Sequence, residues 1–216
     1  MFIGHVSDLH GNLNPLYATS RMPDVWVFTG DNVDNDSSSP VYDSEVREQT
    51  WWLNEVADRF IARLGGKPVV CVDGNHDYVD MAAFLRSKGV EAYNVADGPV
   101  DLLGERFAGY RNIPRISGVW QGETFSADFP AIVEKMMAQD PTIVVVHAPP
   151  AGILDDDRGC GHGHGVTSLT SALCKYGHRV KACLYGHVHR QGGRQQTEMD
   201  ILFANGACCV RFHEVP

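Results

Sequence analysis

Five short apolar runs in this 216-residue chain each lead directly into residues able to bind a metal or move a proton. Phe2–Val6 leads into Asp8-Leu9-His10, and Val25–Phe28 into Gly30-Asp31-Asn32. Val69–Val72 leads into Gly74-Asn75-His76-Asp77, Ile143–Val146 into His147, and Ala182–Tyr185 into Gly186-His187-Val188-His189. Taken singly, each ending is better explained as a capped turn, but five endings of one chemistry are not. Asp and Asn offer oxygen and His offers neutral imidazole nitrogen, a mixed set that suits Mn²⁺, Fe or Zn²⁺ without any thiolate. Two such ions roughly 3.5–4 Å apart need a shared ligand, which a carboxylate supplies. Together they bind phosphate oxygens and lower the pKa of a water. The chemistry indicated is hydrolysis of phosphate esters.

The elements that must carry these residues are legible as well. The five Val- and Ile-rich runs read as buried strands. Between them, residues 43–64 repeat apolar side chains at helical spacing and stop at Gly65-Gly66. Residues 78–87, 127–138 and 166–176 are shorter helix candidates. Strands alternating with helices predict an α/β fold, and ligand sites in such folds lie at the carboxyl ends of strands. Three strand-like pieces near 192–197, 200–205 and 207–213 predict antiparallel strands completing a sheet. No repeat or linker divides the chain, so one domain over residues 1–216 is expected. The segments 34–40 and 155–165 read as rim loops.

The ordered set Asp8-x-His10, Gly30-Asp31, Gly74-Asn75-His76-Asp77, His147 and Gly186-His187-x-His189 resembles the calcineurin-like metallophosphoesterase family. Each block alone is weak, but all five in order across residues 8 to 189 are specific. The resemblance implies a four-layer sandwich, two facing mixed β-sheets flanked by helices, holding two divalent ions, Mn²⁺ foremost. It implies that Asp8, His10 and His189 hold one ion, that Asn75, His147 and His187 hold the other, and that Asp31 bridges them. His76 would be the acid that protonates the leaving group, oriented by Asp77. Asp34 stands where purple acid phosphatases place a metal-binding tyrosine, which argues against a tyrosinate–iron site. The segment from His147 to Asp155, with Asn205-Gly206, is similar to small one-domain phosphodiesterases of the family.

Composition narrows the partners. With 44% hydrophobic and 21% charged residues the chain can bury a substantial core, and its net charge of −9 argues against binding long nucleic acid. No apolar run approaches the roughly 20 residues of a membrane span. The charged motif at Asp8 comes too soon for a signal-peptide apolar region, so no secretory leader is expected, and the six cysteines show no disulfide-framework spacing. These features predict a cytoplasmic protein acting on a small phosphoester, diesters ahead of monoesters, with Cys71 and Cys183 as small core hydrophobes. Among other residues, Arg111, Arg158 and Arg194 are candidate phosphate clamps, each more simply read as surface arginine. The glycine-rich loop with His162 and His164 reads first as a solvated rim, Asp155-Asp156-Asp157 as a solvated turn, and Trp51 and Trp52 as core or groove-edge residues. Two alternatives compete with the enzyme. A metal-binding scaffold without turnover would have no use for His76, and a structural zinc protein would favour cysteine ligands.

Overall fold

A computed structural model of the chain describes residues 1–33, 41–156 and 163–216. The first half runs β1 (Phe2–Ser7), α1 (Asn14–Ala18), β2 (Val25–Phe28), α2 (Tyr42–Leu64), β3 (Val69–Cys71), α3 (Met81–Ser87) and β4 (Ala92–Asn94). The second runs β5 (Val100–Leu102), β6 (Glu105–Tyr110), β7 (Ile113–Pro114), β8 (Glu123–Thr124), α4 (Phe129–Met137), β9 (Ile143–Val146), α5 (Thr167–Tyr176), β10 (Ala182–Tyr185), β11 (Gln195–Glu198), β12 (Ile201–Asn205) and β13 (Cys209–Glu214).

Two large sheets form. One has the order β13-β1-β2-β3-β4, the other β11-β12-β10-β9-β6-β5. Strand periodicity explains how they stack, because successive side chains leave opposite faces. Val25 and Val27 of β2 meet Ile143 and Val145 of β9 and Leu184 of β10 in the core between the sheets. Their neighbours Trp26 and Phe28 face the other way, against Leu53 and Phe60 of α2 and Leu85 of α3. Val144 and Val146 of β9 likewise face Phe129 and Val133 of α4 and Leu169 of α5. The layers are therefore helices, sheet, sheet, helices, the four-layer arrangement expected.

Local sequence accounts for the helix limits. Helix α2 stops at Gly65, whose φ of +63° places it in the left-handed region that glycine enters without steric cost. Helix α3 starts three residues later than 78 because the Asp80 side chain accepts a hydrogen bond from Ala83 N and caps it. The C-terminal expectation needs correction: β13 is antiparallel to β1 and β11 to β12, but β12 runs parallel to β10. The sequence reading also missed β4 to β8, which are short and interrupted by charged or polar residues. Among the described residues, no helix is long and apolar enough to cross a membrane.

Candidate metal centre

Strands β1, β2 and β3 are mutually parallel, as are β9 and β10, so each group ends at one edge of its sheet. The turns after these strands interlock. Asp8 N donates to Gly30 O at 2.9 Å, His10 N to Asp31 O at 3.0 Å, and Gly186 N to His147 O at 3.0 Å. Four candidate ligands have left-handed backbones: Asp8 (φ +49°), His10 (+43°), Asp31 (+53°) and His187 (+66°). Non-glycine residues rarely adopt this conformation, and the strain is sustained because surrounding hydrogen bonds over-determine each turn. Two glycines make the approach possible. A Cβ on Gly30 would lie 2.5 Å from Gly74 N and 2.7 Å from His147 Nδ1. One on Gly186 would fall on Ser7 Oγ and Asp8 Oδ2.

The side chains gather in two trios, Asp8–His10–His189 and Asp31–His147–His187, each with its donor atoms within 4.8 Å of one another. Asn75 joins the second through Oδ1, 3.1 Å from His147 Nε2. In the first trio His189 Nε2 lies 3.2 Å from Asp8 Oδ1 and 3.3 Å from His10 Nε2. Asp8 is held by Ser7 Oγ at 2.5 Å and by the His187 backbone N–H at 2.9 Å, both onto Oδ2.

These residues fit divalent ions, and His147 shows why. Its Nδ1 lies 2.6 Å from Thr29 O, and a carbonyl only accepts, so Nδ1 carries the proton. In the neutral ring the Nε2 lone pair then points at two oxygens, Asp31 Oδ2 and Asn75 Oδ1, each 3.1 Å away. Lone pairs converging in a buried site repel unless a cation sits among them. Without an ion, the ring itself must become that cation. Burial disfavours its charged form, but the Asp31 carboxylate outweighs burial and raises the His147 pKa to about 9. Burial pushes Asp31 up as well, and the charge of His147 overcomes it, leaving the carboxyl below its usual range. The hydrogen bond to Asp8 lifts His189 to about 10, whereas burial and the charge of His147 lower His187 to about 3.

His76 stands beside the trios. Its ring is 5.0 Å from that of His10 and 4.3 Å from that of Trp120. Its Nδ1 is buried without a hydrogen-bond partner among the described residues. Burial lowers its pKa, opposed by the Asp31 carboxylate.

Several expectations change here. Asp77 makes no hydrogen bond to His76 Nδ1, and its own Oδ1 has no partner among the described residues. Its Oδ2 accepts from Asp31 N at 2.7 Å and Gly74 N at 2.8 Å, so the carboxylate ties the β2 and β3 turns together. Burial and the nearby Asp31 raise its pKa to about 7. His76 is instead located through its backbone: its N–H donates to Asp31 Oδ1 at 2.8 Å, and its carbonyl accepts from Gln49 Nε2 at 2.6 Å. Gln49, fully buried on α2, also accepts from Tyr78 N at 2.8 Å and so brackets the whole turn. The sequence reading missed Gln49, Thr29 and Trp120. Asn205 was noticed only as part of a pattern. It donates to Gly186 O and Val188 O and accepts from Ala207 N, bracing the His187–His189 turn.

Asp155 is buried rather than solvated, and its carbonyl accepts from His164 N. His164 does reach the rim, with its ring 6.0 Å from that of His187. Arg111 lines a separate cavity with Asp73 and Asp77, and Arg194 is exposed, donating to Gln191 Oε1. Trp52 packs against the α2 core while Trp51 is exposed. Residues 34–40, read as a rim loop, and Asp157, Arg158 and His162 lie outside the described residues.

The model of the calcineurin-like phosphoesterase family matches residues 1–191. The chain belongs to that family. Among curated proteins it is similar to the 3′,5′-cyclic adenosine monophosphate phosphodiesterase CpdA of Haemophilus influenzae, 26% identical over 153 residues. That match takes in 68% of this chain and 52% of the relative, so the chain spans about half the length of the curated relative it matches. Among solved structures, TT1561 of Thermus thermophilus superposes with a TM-score of 0.59 at 15% identity, covering 95% of this chain and 88% of that one. A Staphylococcus aureus protein assigned provisionally as a 5′-nucleotidase superposes with a TM-score of 0.56 at 11% identity, covering 98% of this chain and 50% of that one. At such identities the two structures show a shared fold and nothing finer.

Proposed function

We propose that this phosphoesterase hydrolyses small phosphodiesters, cyclic nucleotides among them, at a centre of two divalent ions, with residues 1–216 acting as one domain in the cytoplasm. The observation that carries the reading is the convergence of His147 Nε2, Asp31 Oδ2 and Asn75 Oδ1 beside the Asp8–His10–His189 trio. Asp8, His10 and His189 would hold one ion and Asn75, His147 and His187 the other, with Asp31 shared. Mn²⁺ is the first candidate, and Fe or Zn²⁺ suits the same oxygen–nitrogen set. Bound there, the ions supply Lewis acidity to the phosphoryl oxygens and to a water.

The chain's own residues do the rest. The interlocked turns hold the donors rigidly, so little reorganisation accompanies reaction. As the water oxygen bonds to phosphorus and gives up a proton to solvent, the P–O bond to the leaving alcohol breaks, and His76 in its protonated form passes the Nε2 proton to the departing oxygen, to be reprotonated from solvent. Asp77 acts as a positioning residue for the turn bearing His76. Support for diesters comes from the kind of relative matched, a cyclic nucleotide phosphodiesterase, and from the acidity of the chain, which disfavours long nucleic acid. The five free cysteines among the described residues accord with a reducing compartment.

The test is chelation followed by reconstitution with Mn²⁺, Fe²⁺ or Zn²⁺, then competition between bis-nitrophenyl phosphate and nitrophenyl phosphate. Hydrolysis should vanish and return with metal, with higher kcat/KM for the diester. Full activity without metal would overturn the metal centre, and a clear monoester preference would overturn the diester assignment.

A further inference from the structure

Whatever oxygen takes the His76 proton must come within hydrogen-bond reach of Nε2, about 3 Å. Two rings flank that of His76: His10 at 5.0 Å, which belongs to a metal trio, and the Trp120 indole at 4.3 Å, tilted by 39°, so a substituent directed away from the ions lies on the indole side. The indole is half-buried and its place is fixed by backbone. The next residue, Gln121, donates its N–H to Asn75 O at 3.2 Å. On either side of it, Ile113 N bonds to Gly122 O at 3.0 Å and Arg115 N to Thr124 O at 3.1 Å. Gly122, with φ +70°, turns the chain just after Gln121. On the same segment Val119 and Phe125 are exposed.

Resting on the phosphoesterase reading, we propose that Trp120 forms a stacking subsite on the leaving-group side of the centre. The site is thereby selective for esters whose leaving alcohol carries a flat aromatic or heteroaromatic ring. An indole is suited to this because stacking rewards any planar partner, whatever its hydrogen-bonding edge.

Two esters with leaving groups of similar acidity, methyl 2-naphthyl phosphate and methyl phenyl phosphate, isolate stacking from proton transfer. Wild-type protein loaded with Mn²⁺ should favour the naphthyl ester in kcat/KM, with stacking worth on the order of 10-fold. Trp120→Ala should remove most of that preference, and Trp120→Phe should retain part, metal content being checked in each. A role confined to holding His76 in place would slow both esters alike. That result, or an unchanged preference in Trp120→Ala, overturns the subsite. Calorimetry of (2-naphthylmethyl)phosphonate against methylphosphonate separates the two proposals, since neither ligand has an ester to cleave. A naphthyl advantage lost in Trp120→Ala supports the subsite even if neither ester is hydrolysed, a failure that would fall on the phosphoesterase reading instead. Equal affinity for both phosphonates overturns the subsite.

Discussion

At the scale of single residues, His76 and Asp77 are neighbours with different work. His76 has its ring 5.0 Å from that of His10 but belongs to neither trio, so its removal should spare the ions. His76→Ala is expected to retain metal by elemental analysis yet lose about 10²–10⁴-fold in kcat on alkyl esters. The loss should shrink for nitrophenyl esters, whose leaving group needs little protonation. An equal loss on every leaving group would contradict the acid role. Asp77, by contrast, is the acceptor for two buried N–H groups, those of Asp31 and Gly74. Asp77→Leu leaves both donors unsatisfied, at about 1–3 kcal/mol each, while Asp77→Asn keeps an acceptor oxygen in place. Urea unfolding should therefore rank Leu far below Asn, and comparable midpoints for the two variants would contradict the tie. Gln49 shows why some of this was invisible in the sequence. A glutamine on a helix face carries no chemical signature, and its partner His76 is 27 residues away. Asp31 and His147 were legible because each closes an apolar strand run, where few chemistries are possible.

At the scale of elements, the site depends on how closely strand ends can approach. Gly186 lies between β10 and the end of β1, where any Cβ would collide with Ser7 Oγ and Asp8 Oδ2. Gly186→Ala must therefore push the β1 turn away and spoil the Asp8–His10–His189 trio. Calorimetric titration with Mn²⁺ should show binding at that trio lost, with the circular dichroism of a folded protein. Gly98→Ala, with open space around the added methyl, is the matched control and should bind normally. Unimpaired binding in Gly186→Ala would show that the approach is not needed. Strands followed by ligands were found from sequence because burial on both faces writes a continuous apolar run. Strands β5 and β6 were not, since Asp101, Glu105 and Arg106 break any such run. The direction of β12 was misjudged because pairing direction is decided by tertiary neighbours, and apolar spacing does not encode it.

At the scale of the whole molecule, the closing strand β13 brings a second buried histidine against β1. His213 and His5 have ring centroids 5.6 Å apart, and neither belongs to the metal trios. Burial, then the charge of Arg211, lowers the His213 pKa from 6.5 to about 4. Burial, then the charge of His213, lowers that of His5 as well. The unfolded chain thus takes up these protons at higher pH than the folded one. Their neutral forms cost the fold nothing above about pH 6.5, and stability falls as pH drops from there through the folded-state pKa. For His213 the loss approaches about 3 kcal/mol below pH 4. In metal-free protein, His213→Gln should make urea stability fall less steeply between pH 6.5 and 4, by roughly one proton. An unchanged slope would show that His213 titrates normally in the fold.

The two trios share a feature of construction. Asp8 and His10 follow a strand of the five-stranded sheet and His189 one of the six-stranded sheet, while Asp31 comes from the first and His147 and His187 from the second. Every ion held there would act as a rivet through both halves of the sandwich, and neither sheet owns a complete seat. Rivet and sandwich then fail together. Divalent ion at a hundredfold excess over its Kd should add about 2.7 kcal/mol to unfolding, read as a melting temperature that climbs with ion concentration. Chelators should bring that melting temperature back down, and a melting temperature indifferent to both would contradict the rivet. A loaded centre would thus clasp the two sheets as well as carry the chemistry.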